Sequence, residues 1–286
     1  MSHTEPARSD RALLRRKTLV IPALAAAALL AIPASSEAAM NPTGRGSSAG
    51  AAHAAKPTIV LVHGAFADSA GWNGVIAKLE RAGYPVLAVA NPLRDLAGDA
   101  AYLSSVLDTI PGPVVLVGHS YGGAVITDGA AGHTNVKALV YIAAFAPDQG
   151  ESALQLTGEY PGSQLPASLV VRPFPGGQDA YIDQAAFQKV FAADVPAAQT
   201  RLMAAEQRPV ALAALGGPSS APAWRTIPSW DLVAGADQAI PPAAELAMAQ
   251  RAHAHTVTIP GASHAVAVSH PGAVADLIEA AACATA

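Results

Sequence analysis

The sequence is poor in cysteine and in charge. Cys283 is the only cysteine among 286 residues, so the chain has no internal disulfide and no cysteine-based zinc cluster. Only 13% of the residues are charged and 51% are hydrophobic, which argues against an intrinsically disordered chain. The formal net charge is −4, and no dense patch of Lys and Arg is present, which argues against nucleic acid as a partner. A small neutral or mildly apolar ligand fits this composition better.

The apolar run near the N-terminus is too short for a membrane span. It covers residues 19–34, fewer than the roughly 20 that a spanning helix needs, and it contains Pro22 and Pro33. Basic residues precede it and small residues follow it, which is the order of a secretory signal peptide. We therefore predict a cleaved signal peptide over residues 1–38 and a periplasmic or secreted mature protein. An uncleaved membrane anchor is the alternative.

The export route stays open at this point. Arg15 and Arg16, followed by Lys17, resemble a twin-arginine signal, but Leu14 and Thr18 stand where closer matches carry Ser or Thr and Phe. Residues 39–56 are mostly Gly, Ser, Ala, Asn and Pro, which predicts a flexible linker. Once the signal is removed we expect no stable membrane association. The sequence leaves the oligomeric state open.

The pattern of hydrophobic runs indicates the fold class. Six short runs are continuously apolar rather than alternating, at 58–62, 85–89, 114–117, 138–142, 230–234 and 255–259. Such runs are typical of strands that are covered on both faces, as in a parallel sheet. Helical patterns lie between them, at 72–82, 98–107, 122–131, 242–251 and 271–282. This alternation predicts an α/β fold with a doubly wound, mostly parallel sheet.

One long segment interrupts the alternation. Residues 148–223 are rich in Pro, Gly and Gln, with helical patterns only around 184–191 and 197–205. An insertion of this length between two core strands is more typical of a lid than of a loop. We therefore predict a core built from residues 57–147 and 224–286, with a lid or cap at 148–223.

The segment GHSYG places Ser120 in a G-x-S-x-G motif between a predicted strand and a predicted helix. Glycines on both sides allow the sharp turn that lifts the serine hydroxyl above the sheet. The helix dipole and the free N–H groups at the start of the next helix favour negative charge there. A tight structural turn is the alternative, but this context favours a nucleophilic serine.

A nucleophilic serine needs a base to take its proton and an acid to orient that base. Asp237 and His264 each follow a predicted core strand, and both loops leave the sheet at the same edge as Ser120. We therefore predict a catalytic triad of Ser120, His264 and Asp237. His270 is the nearest substitute for the base, and Asp148, which follows an earlier strand, is the alternative acid.

Negative charge that develops on a substrate needs N–H donors nearby. The expected donors are the backbone N–H groups of Tyr121, directly after the nucleophile, and of Ala65, in the loop after the first core strand. We predict that Phe66 and Tyr121 also contact the substrate; for Phe66, a purely structural place in the core is the alternative. We interpret His63 as a packed, hydrogen-bonded histidine rather than a catalytic one.

The segments VLVHGAFADSAGW, LVGHSYGGAVI, AGADQAIPP and IPGASHAV together resemble the α/β-hydrolase superfamily over residues 57–282. The likeness is greatest to the branch of plant methylesterases, hydroxynitrile lyases and small bacterial esterases. It implies a serine carboxylesterase with no metal, no organic cofactor and a lid that shapes the pocket. Hydroxynitrile lyases of this branch carry a lysine beside the histidine and a threonine near the oxyanion hole. This chain has Ala265 and Ala65 there, which argues against cyanohydrin cleavage.

The apolar and aromatic residues of the predicted lid suggest an apolar pocket, so we expect a small-molecule substrate, a small-to-medium and largely apolar ester. Lactones and amides are alternatives for the bond that is cleaved. A cofactor-free haloperoxidase-like esterase would have the same three catalytic residues. A ligand-binding protein on a hydrolase scaffold is the more remote alternative, because such receptors can retain the triad.

Overall fold

A computed structural model describes residues 56–285 of the chain. The predicted signal peptide and nearly all of the predicted linker lie outside these residues. Within residues 56–285, no helix is both long enough and apolar enough to cross a membrane.

The core is a sheet of six parallel strands. These strands are β1 (Thr58–Val62), β2 (Val86–Val89), β3 (Val114–His119), β4 (Val136–Ile142), β8 (Ser229–Ala234) and β9 (His255–Ile259). Their spatial order is β2-β1-β3-β4-β8-β9. Each coincides with one of the six apolar runs to within two residues. The architecture confirms the predicted α/β fold with a parallel sheet.

Helices cover both faces of the sheet. They are α1 (Asn73–Arg81), α2 (Leu96–Leu107), α3 (Tyr121–Gly129), α8 (Pro242–Arg251), α9 (Val266–Ser269) and α10 (Pro271–Ala284). The buried side chains of α1 and α10 pack against one face, and those of α2, α3 and α8 pack against the other. This doubly wound arrangement explains why the central strands are apolar along their whole length.

One expectation about the strands is wrong. The prediction that all six runs are covered on both faces fails for β9, in which the first four residues are exposed. Val257, in the middle of the strand, is 44% exposed. The reason is the position of β9 at the edge of the sheet, where it has a single neighbouring strand.

The segment between β4 and β8 has regular structure that the sequence analysis did not anticipate. It contains a second, antiparallel sheet of three strands, β5 (Leu169–Phe174), β6 (Gly177–Ile182) and β7 (Val210–Ala211). It also contains the helices α4 (Ala153–Glu159), α5 (Gln184–Phe191), α6 (Ala197–Glu206) and α7 (Leu212–Gly216). Of these, α5 and α6 match the two helical patterns predicted there.

Polar contacts fix both ends of this segment to the core. Near its start, the Arg251 guanidinium on α8 pairs with Glu151 at 2.6 Å. Near its end, the Asp128 carboxylate at the end of α3 accepts hydrogen bonds from Ser219 Oγ at 2.5 Å and from the Ser220 N–H at 2.9 Å. The base of the segment is therefore anchored beside the carboxyl edge of the sheet, where the candidate site lies.

Candidate active site

Ser120 lies in the tight turn that joins β3 to α3. Its backbone has φ 54° and ψ −125°, a conformation that residues other than glycine rarely adopt. The flanking glycines make the turn possible, because a Cβ on Gly118 would lie 2.6 Å from the carbonyl oxygen of Gly122. A Cβ on Gly122 would in turn overlap the carbonyl oxygen of Val62. Larger residues at 118 and 122 would therefore displace Ser120 from the sheet edge.

Two backbone N–H groups beside Ser120 are free to bind a ligand. Within residues 56–285, neither the Ala65 N–H nor the Tyr121 N–H has a hydrogen-bond acceptor. Neighbouring amides are occupied: the N–H of Phe66 donates to the Arg208 carbonyl at 3.1 Å, and that of Gly123 donates to the Ser120 carbonyl at 2.9 Å. Tyr121 is the first residue of α3, so its N–H lies at the positive end of the helix dipole. This arrangement suits a developing oxyanion.

His264 and Asp237 form a buried hydrogen-bonded pair. Nδ1 of His264 lies 2.6 Å from Oδ2 of Asp237. The other carboxylate oxygen, Oδ1, accepts from the N–H groups of Ala239 at 2.6 Å and Ile240 at 2.9 Å. These donors hold the carboxylate in place, and the carboxylate fixes the proton of His264 on Nδ1, so that Nε2 is the basic nitrogen.

Ser120 and His264 line the same cavity. Within the described part of the chain, no hydrogen bond joins Ser120 Oγ to His264. Such bonds are often long in ligand-free enzymes and shorten when the substrate binds. The remaining wall of the cavity is almost entirely apolar and includes Phe66, Phe145, Leu154, Leu165, Leu169, Phe191, Leu215 and Ile240. Phe66 lines this cavity together with Ser120, and α4, β5, α5 and α7 also supply side chains to its wall.

His119 supports His264, a contact that the sequence analysis missed. Its Nε2–H donates to the backbone carbonyl of His264 at 2.9 Å, and the two rings lie 4.7 Å apart. Burial, with a smaller effect of His264, lowers the pKa of His119 to about 3, so His119 is neutral. Its place inside the GHSYG motif is a sequence signal that could have indicated this role.

Asp99 on α2 is a second residue that the sequence analysis missed. The Tyr121 hydroxyl donates to Asp99 Oδ2 at 2.9 Å, and the Arg94 N–H donates to Oδ1 at 3.2 Å. Asp99 is almost fully buried, and this burial raises its pKa. Because Tyr121 carries one of the free N–H groups, Asp99 helps to fix the first turn of α3.

The alternative site residues lie in other surroundings. Asp148 pairs with Arg225 at 2.5 Å, so the structure brings Asp237 and not Asp148 to His264. His270 lies 3.4 Å from the carboxylate of Asp194 and bonds to the hydroxyl of the preceding serine. His63 is buried, with Nδ1 at 2.9 Å from the Gly64 carbonyl oxygen and Nε2 accepting from a backbone N–H, as expected for a packed histidine.

A second serine, histidine and aspartate set is formed by Ser104 on α2, Asp108 directly after α2, and His133 after α3. Ser104 Oγ is 2.7 Å from His133 Nε2, and His133 Nδ1 is 3.7 Å from Asp108, whose side chain is 73% exposed. Ser104 lies inside a helix, where backbone N–H groups bond along the helix and cannot face an oxyanion. This set therefore lacks the free backbone N–H groups that the turn at Ser120 provides. It serves as an internal control. Within residues 56–285, no group of three or more metal-ligating side chains could hold a metal ion.

A family model and several known proteins match the chain. The model of the alpha/beta hydrolase family matches residues 59–277. A carbendazim-hydrolysing esterase from Nocardioides sp. (strain SG-4G) is 38% identical over 114 residues, which cover 34% of this chain and 46% of that esterase. The match thus spans less than half the length of this curated relative.

Two solved structures cover most of the chain. The pyrethroid hydrolase from Sphingobium faniae JZ-2 is 25% identical, covers 80% of this chain and 98% of its own, and superimposes with a TM-score of 0.65. A methylesterase from Arabidopsis is 18% identical, covers 79% of this chain and 99% of its own, and also has a TM-score of 0.65. The family model and the pyrethroid hydrolase agree with the predicted resemblance, and the methylesterase has the same fold.

Proposed function

This chain belongs to the alpha/beta hydrolase family, and we propose that it is a serine carboxylesterase that cleaves a small-to-medium, largely apolar ester. The observation that carries the proposal is the meeting of Ser120 and His264 in one apolar cavity, with His264 held by Asp237 at 2.6 Å. Matches to proteins that are named as esterases support the same reaction class.

The first step is acylation of Ser120. His264 Nε2 takes the hydroxyl proton while Ser120 Oγ forms a bond to the ester carbonyl carbon. The carbonyl oxygen becomes an oxyanion, which the N–H groups of Ala65 and Tyr121 stabilise. Asp237 keeps the proton of His264 on Nδ1 and stabilises the imidazolium. Collapse of the intermediate breaks the ester C–O bond, and His264 gives its proton to the departing alkoxide.

The second step is hydrolysis of the acyl-enzyme. His264, neutral again, takes a proton from water, and the hydroxide attacks the acyl carbon. The same two N–H groups stabilise the second oxyanion. When the bond to Ser120 Oγ breaks, His264 returns the proton to the serine and the carboxylic acid leaves. No metal or organic cofactor takes part in this scheme.

The lining of the cavity supports an apolar substrate. Apart from Ser120, His264, Tyr121 and Thr157, the side chains that line it are apolar, so a charged acyl or alcohol group would lose its hydration without a partner. The related esterase and hydrolase are named for their action on carbendazim and on pyrethroids. The substrates in these names support an apolar compound as the substrate of this chain. We propose that the ester bond is the one cleaved.

The proposal is tested with nitrophenyl esters of increasing acyl length. We expect turnover that is lost in Ser120→Ala and unchanged in Ser104→Ala, because Ser120, unlike Ser104, has free N–H groups beside it. Equal loss in both variants would contradict the proposed nucleophile. Stabilisation against melting by the esters, without turnover by wild-type protein, would instead support a ligand-binding protein on this scaffold.

A further inference from the structure

A second cavity lies beside the cavity that Ser120 and His264 line, which we call the Ser120 cavity. The wall of the second cavity is supplied by the loop after β1, by the start of α1, by α6 and by α9. Its volume is about 360 Å³, whereas that of the Ser120 cavity is about 40 Å³. Phe66 is the only residue within residues 56–285 that lines both. The two cavities therefore border each other at Phe66.

Phe66 is held firmly in this wall. It is 3% exposed and belongs to the same buried apolar cluster as Tyr121 and Phe145. Its N–H donates to the Arg208 carbonyl at 3.1 Å, which ties the loop after β1 to the chain that follows α6. Its φ is 61°, a backbone conformation that is rare for a bulky residue and that glycine adopts at lower cost. A large aromatic residue at such a position points to a role for its side chain.

The Ser120 cavity has little room for a substrate chain. One water-sized group needs about 10 to 15 Å³, so the cavity accommodates only a few such groups. Leu154, which lines this cavity, is 53% exposed, so the cavity reaches solvent on that side. Phe66, which lines it too, is buried. One substituent of an ester at Ser120 can therefore extend past Leu154, whereas the other ends at Phe66.

We propose that Phe66 determines substrate specificity, because its side chain separates the Ser120 cavity from the second cavity and restricts one substituent of the ester to a short chain. The proposal rests on the proposed function, since it concerns the substrate of that site. Without the Phe66 side chain, the Ser120 cavity would continue into a space of the size typical of small-molecule sites, about 300 to 1,000 Å³. No Lys or Arg lines the second cavity, whereas Asp68 and Glu206 do, so a chain that enters it should be neutral.

The test measures chain-length preference after the Phe66 side chain is removed. Ethyl alkanoates vary the acyl chain and alkyl acetates vary the alcohol chain, so either substituent can be the one that meets Phe66. In one of these series, Phe66→Ala should raise the ratio of kcat/KM for an octyl chain to that for a butyl chain by about 10-fold or more, since each buried methylene contributes roughly 4-fold. Phe66→Gly, which suits the φ of 61°, should have the same effect. An unchanged ratio in both series would overturn the proposal.

Met203→Trp is the matched control, because Met203 lines the second cavity and not the Ser120 cavity. It should leave the chain-length preference of the wild type unchanged and cancel the gain in Phe66→Ala. Phe145 lines only the Ser120 cavity of the two, so Met203→Trp should not cancel any gain in Phe145→Ala. If Met203→Trp lowers the octyl-to-butyl ratio of the wild type, the second cavity is already open and Phe66 does not separate the two. If it leaves the gain in Phe66→Ala intact, the longer chain does not enter the second cavity.

Binding of methyl ketones separates this proposal from the proposed function. These ketones have the carbonyl group and the chain of an ester but no bond that hydrolysis can break. Calorimetry on Ser120→Ala should give a Kd that stops falling beyond a short chain, whereas the Kd for Ser120→Ala with Phe66→Ala should continue to fall as the chain lengthens. This comparison remains a test even if the turnover assays show that the esterase assignment is wrong. Equal dependence of the Kd on chain length in the two proteins would contradict the proposed separation.

Discussion

Gly64 and Ser120 approach so closely that a methyl group on Gly64 would lie 2.6 Å from Ser120 Cβ and 3.1 Å from Oγ. The loop after the first core strand is therefore packed directly against Ser120. The close approach brings the loop that carries the Ala65 N–H beside Ser120 Oγ, the proposed nucleophile. It also explains why this position requires glycine on steric grounds.

We predict that Gly64→Ala inactivates the enzyme. The added methyl would also lie 2.7 Å from the His119 carbonyl oxygen, so either Ser120 or the oxyanion loop must shift. Displacement of an oxyanion donor costs a factor of about 100 to 1,000 in kcat. The matched control is Gly71→Ala, where an added Cβ meets nothing within 4 Å. Ester turnover in the two variants is the measurement, and similar activity in both would contradict the predicted contact.

Asp237→Asn should lower kcat by about 10,000-fold while the protein stays folded, because an amide no longer fixes the proton of His264 on Nδ1. Asp148→Asn should be fully active, since Asp148 pairs with Arg225 and not with His264. Kinetics with one nitrophenyl ester measure both effects. If Asp148→Asn lost activity and Asp237→Asn kept it, Asp148 would be the acid of the triad.

Tyr121→Phe should destabilise the fold by about 1 to 3 kcal/mol, because it leaves Asp99 Oδ2 buried without its hydroxyl donor. A double-mutant cycle with Asp99→Leu, followed by urea unfolding, isolates the interaction. We expect the double variant to lose less stability than the sum of the single variants. Additive losses would mean that the Tyr121 hydroxyl and Asp99 do not interact in solution.

Asp231→Asn should stabilise the protein at alkaline pH. The ordinary pKa of this group is 3.8, and burial raises it well above that value. Between these two pKa values the native protein retains a proton that the unfolded chain releases, so the free energy of unfolding falls as the pH rises. Asparagine is neutral at every pH and avoids this loss.

The gain in the free energy of unfolding for Asp231→Asn should be larger at pH 8 than at pH 4, because burial raises the pKa of Asp231 in the native protein. The gain should shrink as the pH falls toward 3.8. Urea unfolding of both proteins at pH 8 and pH 4 provides the comparison. If the difference in the free energy of unfolding between the two proteins does not change with pH, Asp231 is not neutral in the native protein.

Much of the core could be predicted because its pattern is local. The continuous apolar runs located all six parallel strands, and the G-x-S-x-G turn located Ser120 between β3 and α3. The sheet edge was not predictable in the same way, since the run that forms β9 resembles the others although most of it is exposed. Spatial strand order decides which runs become edges, and composition does not encode it.

The antiparallel sheet at 169–211 was missed because its strands carry no clear apolar alternation. Most of β5 is exposed, so hydrophobic periodicity gives little signal there. The pairing of β5 with β6 depends on a turn at Gly176, whose φ is 101°. The contact of this sheet with the core depends on residues that are distant along the chain.

The supporting residues were missed for another reason. Asp99 lies on a helix, where an acidic residue usually faces solvent. It is buried here because another element covers it, and its partner Tyr121 lies 22 residues away along the chain. His119 acts on a residue 145 positions away. Such contacts arise from the fold and have no local sequence pattern.

The central claim is that Ser120 is an activated nucleophile, and covalent labelling with a fluorophosphonate probe tests it most directly. Intact mass of the folded wild-type protein should show one adduct, which peptide mapping assigns to Ser120. Labelling should be absent from Ser120→Ala and unchanged in Ser104→Ala. An unlabelled wild-type protein, or an adduct on any residue other than Ser120, would contradict the account.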